Sequence, residues 1–250
     1  MSADTERQVL NAVAQFVNRN NWKKWGMNSL RKQGAAFLLK GPPGTGKTSI
    51  ATWISLMVRK RGMKELSFAD FGSHVPGENA RQIRENFDYA KENGDMTVFL
   101  DDCEAVLWDR SRAGSTAMWM LEVIDELLVQ IGKYRGLVIL ATNKDELLDS
   151  ALRRRLLAEI HVGVPDRVMR LALWNVKMPL GFPLKLSIDQ KNVLADMVLT
   201  GAEIENAIIN CASDALRLKK NPTFKQLFAE AQLLAQQRIA TLQQSGSQVQ

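Results

Sequence analysis

Cysteine is scarce in this chain: Cys103 and Cys211 are the only two among 250 residues. So few exclude a disulfide framework and an all-cysteine zinc site, and they fit a reducing, cytoplasmic setting. Long apolar runs are lacking as well. None approaches the roughly 18 residues that a membrane span requires, so no membrane partner is expected. The opening Met-Ser-Ala-Asp-Thr-Glu has no basic region followed by an apolar one, the order that marks a signal peptide. There is no internal repeat and no H-E-x-x-H protease motif. A surplus of one charge along the whole chain is also missing. Residues 1–36 carry +4 (six basic, two acidic), residues 37–150 carry −3 (14 basic, 17 acidic) and residues 151–250 carry +5 (13 basic, eight acidic), for a net +6. The positive charge flanks an acidic middle, which disfavours a uniformly polybasic nucleic-acid binder.

What is present is a soluble globular composition, 46% hydrophobic and 24% charged. A chain of this length buries roughly 70–75% of its unfolded surface and needs no staples. Residues 5–25 carry a helical stripe of Val9, Leu10, Val13, Phe16 and Val17. Short apolar runs follow at 35–39, 66–71, 97–100, 137–141 and 160–164, most of them bounded by Gly, Asp or Asn. These predict five buried strands. Helical stretches at 48–61, 79–93 and 116–134 lie between them, and such alternation implies a parallel sheet covered on both faces. After Pro165 the strand pattern stops, and helices are predicted near 166–176, 187–199, 201–219 and 223–242. The 201–219 segment carries a stripe of Ile204, Ala207, Ile208, Cys211 and Ala215. The expected organisation is a helical lead over 1–34, an α/β domain over 35–165, a four-helix domain over 166–242 and a polar, frayed tail over 243–250.

The run Gly41-Pro-Pro-Gly44-Thr-Gly46-Lys47-Thr48 fits G-x-x-x-x-G-K-[ST], with a strand before it and a helix from Ser49 after it. Glycines let successive N–H groups turn inward around phosphates, and the helix N-terminus adds positive potential. Lys47 then reaches the β- and γ-phosphates, and the Thr48 hydroxyl joins a Mg²⁺ shell. A carboxylate at the end of a neighbouring strand is needed to organise that metal, and Thr97-Val-Phe-Leu-Asp101-Asp102 supplies one. Asp101 takes the metal role, directly or through water. Asp102 is either the general base for water or a cap for the next helix.

From about Phe37 to Leu218 the sequence resembles the AAA ATPases, and within them the branch that includes katanin and spastin. The likeness rests on five features in order: Gly41–Thr48, the acidic strand end within 98–106, Leu140-Ala-Thr-Asn143, Leu148-Asp-Ser-Ala-Leu-Arg-Arg-Arg155 followed by Val164-Pro-Asp166, and Gly201-Ala-Glu-Ile204. The resemblance implies an AAA+ large domain, a five-stranded parallel P-loop sheet flanked by helices, with a C-terminal four-helix lid. It implies ATP and Mg²⁺, with nucleotide contacts from Pro43, Gly44, Thr45, Gly46, Lys47, Thr48, Ser49, Gly201 and Ala202. Asn143 would sense the γ-phosphate, although a turn residue after a strand explains the same letter. Arg153, Arg154 and Arg155 would supply arginine fingers to a neighbouring subunit's γ-phosphate. Without the resemblance they read as a solvated face or as cations at a helix C-terminus. Gly201 and Ala202 admit close approach to base and ribose, whereas Thr200 as a helix cap explains them equally.

Three departures from the family stand out. The base position is usually Glu and here is Asp102, one methylene shorter; a change of about 1 Å in reach costs on the order of 10²-fold, so slow or partner-stimulated hydrolysis is expected. Glu104 is a poorer substitute. The pore-facing loop of protein-threading members carries an aromatic, whereas Phe71-Gly-Ser-His-Val-Pro-Gly-Glu-Asn79 places His74, Val75 and Pro76 there. Phe71 reads as the end of a strand. The region ahead of the phosphate loop is short, so specificity is expected from a separate partner or from surface segments. One such segment is residues 21–32, where Trp22 and Trp25 are expected to pack against the sheet or a neighbouring subunit and Lys23 and Lys24 to stay solvated; stacking on bases is the alternative. Met118–Met120 read as helix core or interface, and His161 and Cys103 as structural.

Together these features lead to the expectation of an ATP-hydrolysing module acting as a homo-oligomeric ring, six subunits by resemblance, that remodels or disassembles a partner protein complex. An ATP-switched nucleic-acid loader or regulator is a less favoured alternative, suggested by the basic ends. A weakly hydrolysing scaffold is another, suggested by Asp102.

Overall fold

The computed structural model describes residues 1–25, 35–58, 62–67, 71, 75, 77–103, 118–144 and 150–246. His74, Pro76, Glu104, Leu148 and Asp149, and the side chains of Trp22, Lys23 and Met118–Met120, lie outside what is described. Contacts divide the chain into two compact units. One holds Ala3–Pro42 and Lys47–Val162; the other holds Met1–Ser2, Pro43–Gly46 and Gly163–Gln250.

In the first unit, helices α1 (Ala3–Val17) and α2 (Arg19–Lys24) precede strand β1 (Ala36–Lys40). Then come α3 (Lys47–Val58), β2 (Met63–Ser67), α4 (Glu78–Glu92), β3 (Thr97–Asp101), α5 (Met118–Lys133), β4 (Val138–Thr142), the short α6 (Ser150–Arg153) and β5 (Leu156–His161). The five strands form one parallel sheet, as the alternating pattern predicts, and their order in it is β2-β3-β4-β1-β5. Every residue of β1 and β4 is buried, because both strands are central and carry helices on both faces. Side chains alternate across the sheet. Ala36 and Leu38 join Val98, Leu100, Val138 and Leu140 in a core with Ile83 and Phe87 of α4 and Leu127 and Ile131 of α5. Phe37 points the other way and meets Phe16 of α1 edge-on, ring centroids 6.4 Å apart.

Two strands differ from expectation, and both are edges. The second run is displaced from 66–71 to Met63–Ser67, and the fifth from 160–164 to Leu156–His161. An edge strand is half covered, so Met-Lys-Glu-Leu-Ser and Leu-Leu-Ala-Glu-Ile-His are broken by charged residues and lack the four-residue apolar runs of β1 and β4. Phe71 is buried in the core and lies beyond β2. The outer edge of β5 is closed by α1: Thr5 donates its hydroxyl to the His161 carbonyl at 2.9 Å, and the His161 N–H donates to Gln8 Oε1 at 3.0 Å. The predicted helix over 5–25 breaks at Asn18, whose side-chain amide donates to the Ala14 carbonyl at 2.9 Å, a local bond that competes with helix continuation. Trp25 is 74% exposed, so of its two expected packings the one against this chain's own sheet is not found.

The second unit contains α7 (Arg167–Lys177), α8 (Ile188–Asp196), α9 (Gly201–Arg217) and α10 (Phe224–Gly246). All five stripe residues of α9 are buried, and they pack with Trp174, Leu194, Leu199 and Leu227. Three helices start on side-chain caps: Asp166 for α7, and reciprocal Ser187/Gln190 and Thr200/Glu203 boxes for α8 and α9. The last helix runs to Gly246, four residues into the stretch expected to fray.

Candidate functional site

Because all strands are parallel, the carboxyl ends of β1, β3 and β4 fall side by side, and the loops that leave them converge. The loop after β1 is held close at its first residue. Gly41 N–H donates to the Thr142 carbonyl at 3.2 Å, and a Cβ at Gly41 would sit 2.0 Å from the Val162 carbonyl oxygen. Only glycine fits there. Gly44 and Gly46 have φ of +75° and +94°, the left-handed conformations in which backbone N–H groups turn toward one side.

Lys47 opens α3 and is 7% exposed. Its ammonium donates to the Gly41 carbonyl at 2.8 Å, the Pro42 carbonyl at 3.1 Å and Asn143 Oδ1 at 2.6 Å. Asn143, just past β4, turns its amide nitrogen to Asp102 Oδ1 at 3.2 Å. Next along α3, the Thr48 hydroxyl donates to Asp101 Oδ2 at 3.1 Å. The structure therefore brings five of the expected site residues together: Lys47, Thr48, Asp101, Asp102 and Asn143. Asp102 has φ +48°, an uncommon conformation that Asp tolerates better than most residues, and its N–H donates to Asp101 Oδ1 at 3.0 Å. Cys103 anchors that turn from below. It is fully buried, and both its N–H and its thiol meet the Ala141 carbonyl at 3.0 Å.

Of the remaining expected residues, Pro43 and Ser49 are exposed and Thr45 is half-buried. Arg153 and Arg154 are exposed. Arg155 differs: its Nη1 donates to the Ala151 carbonyl at 2.8 Å and its Nε is buried. In the C-terminal unit, which includes Pro43–Gly46, the Ala202 N–H donates to the Gly44 carbonyl at 3.3 Å. A Cβ at Gly44 would lie 2.8 Å from Ala202 Cβ and 2.9 Å from Thr200 Oγ1. Thr200 is also the cap of α9, so capping and close approach occur together. Nearby, Lys177 donates to Glu205 at 2.5 Å and holds that carboxyl below its ordinary range.

The sequence of residues 37–165 matches the profile described as "AAA: ATPase family associated with various cellular activities (AAA)". The chain belongs to this family. The Arabidopsis thaliana "26S proteasome regulatory subunit S10B homolog B" is 30% identical over 204 residues, covering 78% of this chain and 50% of that protein. The "ATP-dependent zinc metalloprotease FtsH" of Staphylococcus haemolyticus is 32% identical over 229 residues, 88% of this chain and 30% of that protein. The chain thus spans about half the length of the one relative and less of the other. These relatives do not single out the katanin and spastin branch that the phosphate loop suggested; the broader AAA family is what they share. Among solved structures, "Structure of E. coli MS115-1 HORMA:CdnC:Trip13 complex" superposes with a TM-score of 0.70 over 91% of this chain and 86% of that one, at 19% identity. That likeness establishes the AAA+ fold.

Sequence reasoning did not find the role of Thr200 beside Gly44, although the T-x-x-E pattern of a capping box was legible there. It also missed the Lys40–Glu159 ion pair of 3.0 Å between β1 and β5 and the grip of α1 on His161. Neither leaves a mark in the linear pattern. Among the described residues no helix is long and apolar enough to cross a membrane, and no group of three or more His, Cys, Asp or Glu gathers as a metal site.

Proposed function

We propose that this chain binds ATP with Mg²⁺ and hydrolyses it as one subunit of a homo-oligomeric ring, six-membered by family resemblance, that remodels a partner protein complex. The observation that carries the reading is the Lys47–Asn143–Asp102 chain beside the Thr48–Asp101 pair, assembled from three adjacent strand ends. This donor set fits the substrate. A buried ammonium matches phosphate charge, and a hydroxyl and a carboxylate 3.1 Å apart match the hard oxygen ligands that Mg²⁺ takes. When bound, Mg²⁺ neutralises charge on the phosphates.

The chain's own residues then divide the work. Lys47 and the loop N–H groups hold the phosphates. Asn143, already turned to both Lys47 and Asp102, orients the attacking water. Asp102 takes that water's proton on a carboxylate oxygen, with a reach one methylene short of the usual Glu, so turnover is slow unless a partner adjusts the geometry. Gly201 and Ala202 face the base and ribose. Arg153 and Arg154 act across the ring on a neighbour's phosphate; Arg155, tied to its own turn at Ala151, keeps that turn in shape. We take 35–165 as the ATPase domain and 166–242 as its lid, in a reducing compartment supported by two buried cysteines that form no disulfide. The proposal is made for the AAA family broadly. The weakly hydrolysing scaffold is favoured by the same Asp102 and is the second reading.

The test is ATP turnover and ring size with and without nucleotide. Lys47→Ala should lose ATP binding, and Asp102→Asn should bind ATP, stop turnover and retain the partner in a pull-down. Arg153→Ala/Arg154→Ala should bind ATP yet lose about 10³-fold in turnover. Mixing it with Lys47→Ala subunits should restore part of the activity, because each supplies what the other lacks. A monomer with full turnover at high protein concentration would sink the ring, and no turnover with intact binding would leave the scaffold.

A further inference from the structure

Arg238 lies on α10, 35 positions beyond Glu203, and its side chain is 10% exposed. Its Nη1 donates to both carboxylate oxygens of Glu203, at 3.1 and 3.2 Å. Glu203 is itself the N3 member of the α9 capping box. Its Oε2 accepts the Thr200 N–H at 2.6 Å, and its own N–H donates to Thr200 Oγ1 at 3.3 Å. One residue along, Ala202 gives its N–H to the Gly44 carbonyl. The start of α9 is therefore satisfied from two directions, by its own box and by the phosphate loop. One carboxylate serves the helix cap and the Arg238 guanidinium at once.

We propose that Arg238 is a positioning residue for the nucleotide: through Glu203 it fixes the first turn of α9, and through Ala202 and Gly44 it fixes the shape of the phosphate loop. A charged, nearly buried side chain is not needed merely to join two helices, since apolar residues of similar size join them as well. What the guanidinium adds is a fixed rotamer for Glu203. With Arg238 gone, that carboxylate can turn to water, the box loosens, and Gly44 loses a defined partner at φ +75°. Arg238 touches no phosphate in this scheme. Its loss should weaken ATP binding while leaving the hydrolysis step intact.

This inference rests on the function proposed above, and one experiment separates the two. ATP binding and steady-state kinetics are measured for wild type, Lys47→Ala, Arg238→Met, Arg238→Lys, Glu203→Gln and the Arg238→Met/Glu203→Gln double variant. Gln at 203 still accepts the Thr200 N–H but lacks the charge. We expect KM and Kd for ATP to rise about tenfold in Arg238→Met and in Glu203→Gln, equivalent to about 1.4 kcal/mol, with kcat within twofold of wild type. Arg238→Lys should recover most of the affinity, and the double variant should be no worse than either single one. If Arg238→Met fails to fold, Glu203→Gln decides on the same readout. Variants that melt at lower temperature yet bind ATP as wild type does would overturn the positioning role and leave the ATPase assignment standing. A folded wild type that binds no better than Lys47→Ala would overturn both.

Discussion

Replacing Gly41 by Ala tests the geometry at the root of the phosphate loop, independently of any ligand. The added Cβ would stand 2.0 Å from the Val162 carbonyl oxygen, whereas real contacts of this kind stay above 3.0 Å. The end of β1 must therefore move by about 1 Å. It has little freedom to do so. The Val162 N–H donates to the Lys40 carbonyl at 2.7 Å on one side, and the Gly41 N–H to the Thr142 carbonyl at 3.2 Å on the other. Opening the first side by an ångström takes that bond out of range and leaves a buried donor and acceptor unpaired, costing about 1–3 kcal/mol. Overpacking of the surroundings adds a similar amount, for a total of about 2–6 kcal/mol. In a chain of this length that lowers the melting temperature by roughly 4–24 °C. The control is Gly46→Ala, where a Cβ would meet nothing within 4 Å and the cost is only the φ of +94°, about 1 kcal/mol. Circular dichroism melts of both variants without nucleotide decide the matter. A Gly41→Ala protein that melts within 2 °C of wild type, or above Gly46→Ala, refutes the close approach of β1 to Val162.

Two further outcomes concern the interior. Arg170 is 8% exposed and donates to the Ala195 carbonyl at 2.8 Å and the Pro165 carbonyl at 2.7 Å. Burial lowers its pKa, Asp166 and Asp196 partly offset that, and it stays charged. Arg170→Met should destabilise the C-terminal unit by about 2–4 kcal/mol through the stranded carbonyls, seen as a lower urea midpoint; an unchanged midpoint would contradict this. Burial also pushes the Cys211 thiol above its ordinary value, with Glu230 and Asp214 adding to the shift. The neutral thiol is thus favoured by the fold, a contribution present below the unfolded thiol's pKa and lost as pH rises through the folded one. At pH 8 a thiol reagent should label neither Cys103 nor Cys211 in the native protein and both in denaturant. Rapid native labelling would show that these sites are open.

The linear pattern was most informative where physics is local or where both faces of an element are buried. Central strands β1, β3 and β4 announce themselves as apolar runs because helices cover them on two sides. The helix starts at Asp166, Ser187 and Thr200 are legible because a cap is a three-residue interaction. Edge strands β2 and β5 were misplaced by three to four residues, since half of each faces elsewhere and polar residues break the run. The phosphate loop is recognisable because its chemistry needs particular residue types at particular spacing.

What the sequence by itself determined is therefore the order of strands and helices, the glycine-rich loop, the acidic strand end and the family to which they belong. Those follow from periodicity, capping and motif spacing, all short-range properties of the chain. Only the tertiary structure decided which residues meet. It joined Lys47 to Asn143 across 96 positions, tied Arg155 down while Arg153 and Arg154 stayed exposed, and set Arg238 on Glu203. The reason is that strand order in the sheet is β2-β3-β4-β1-β5 and not the order along the chain. Neighbours in space are set by how apolar faces pack, and sequence spacing carries no record of that.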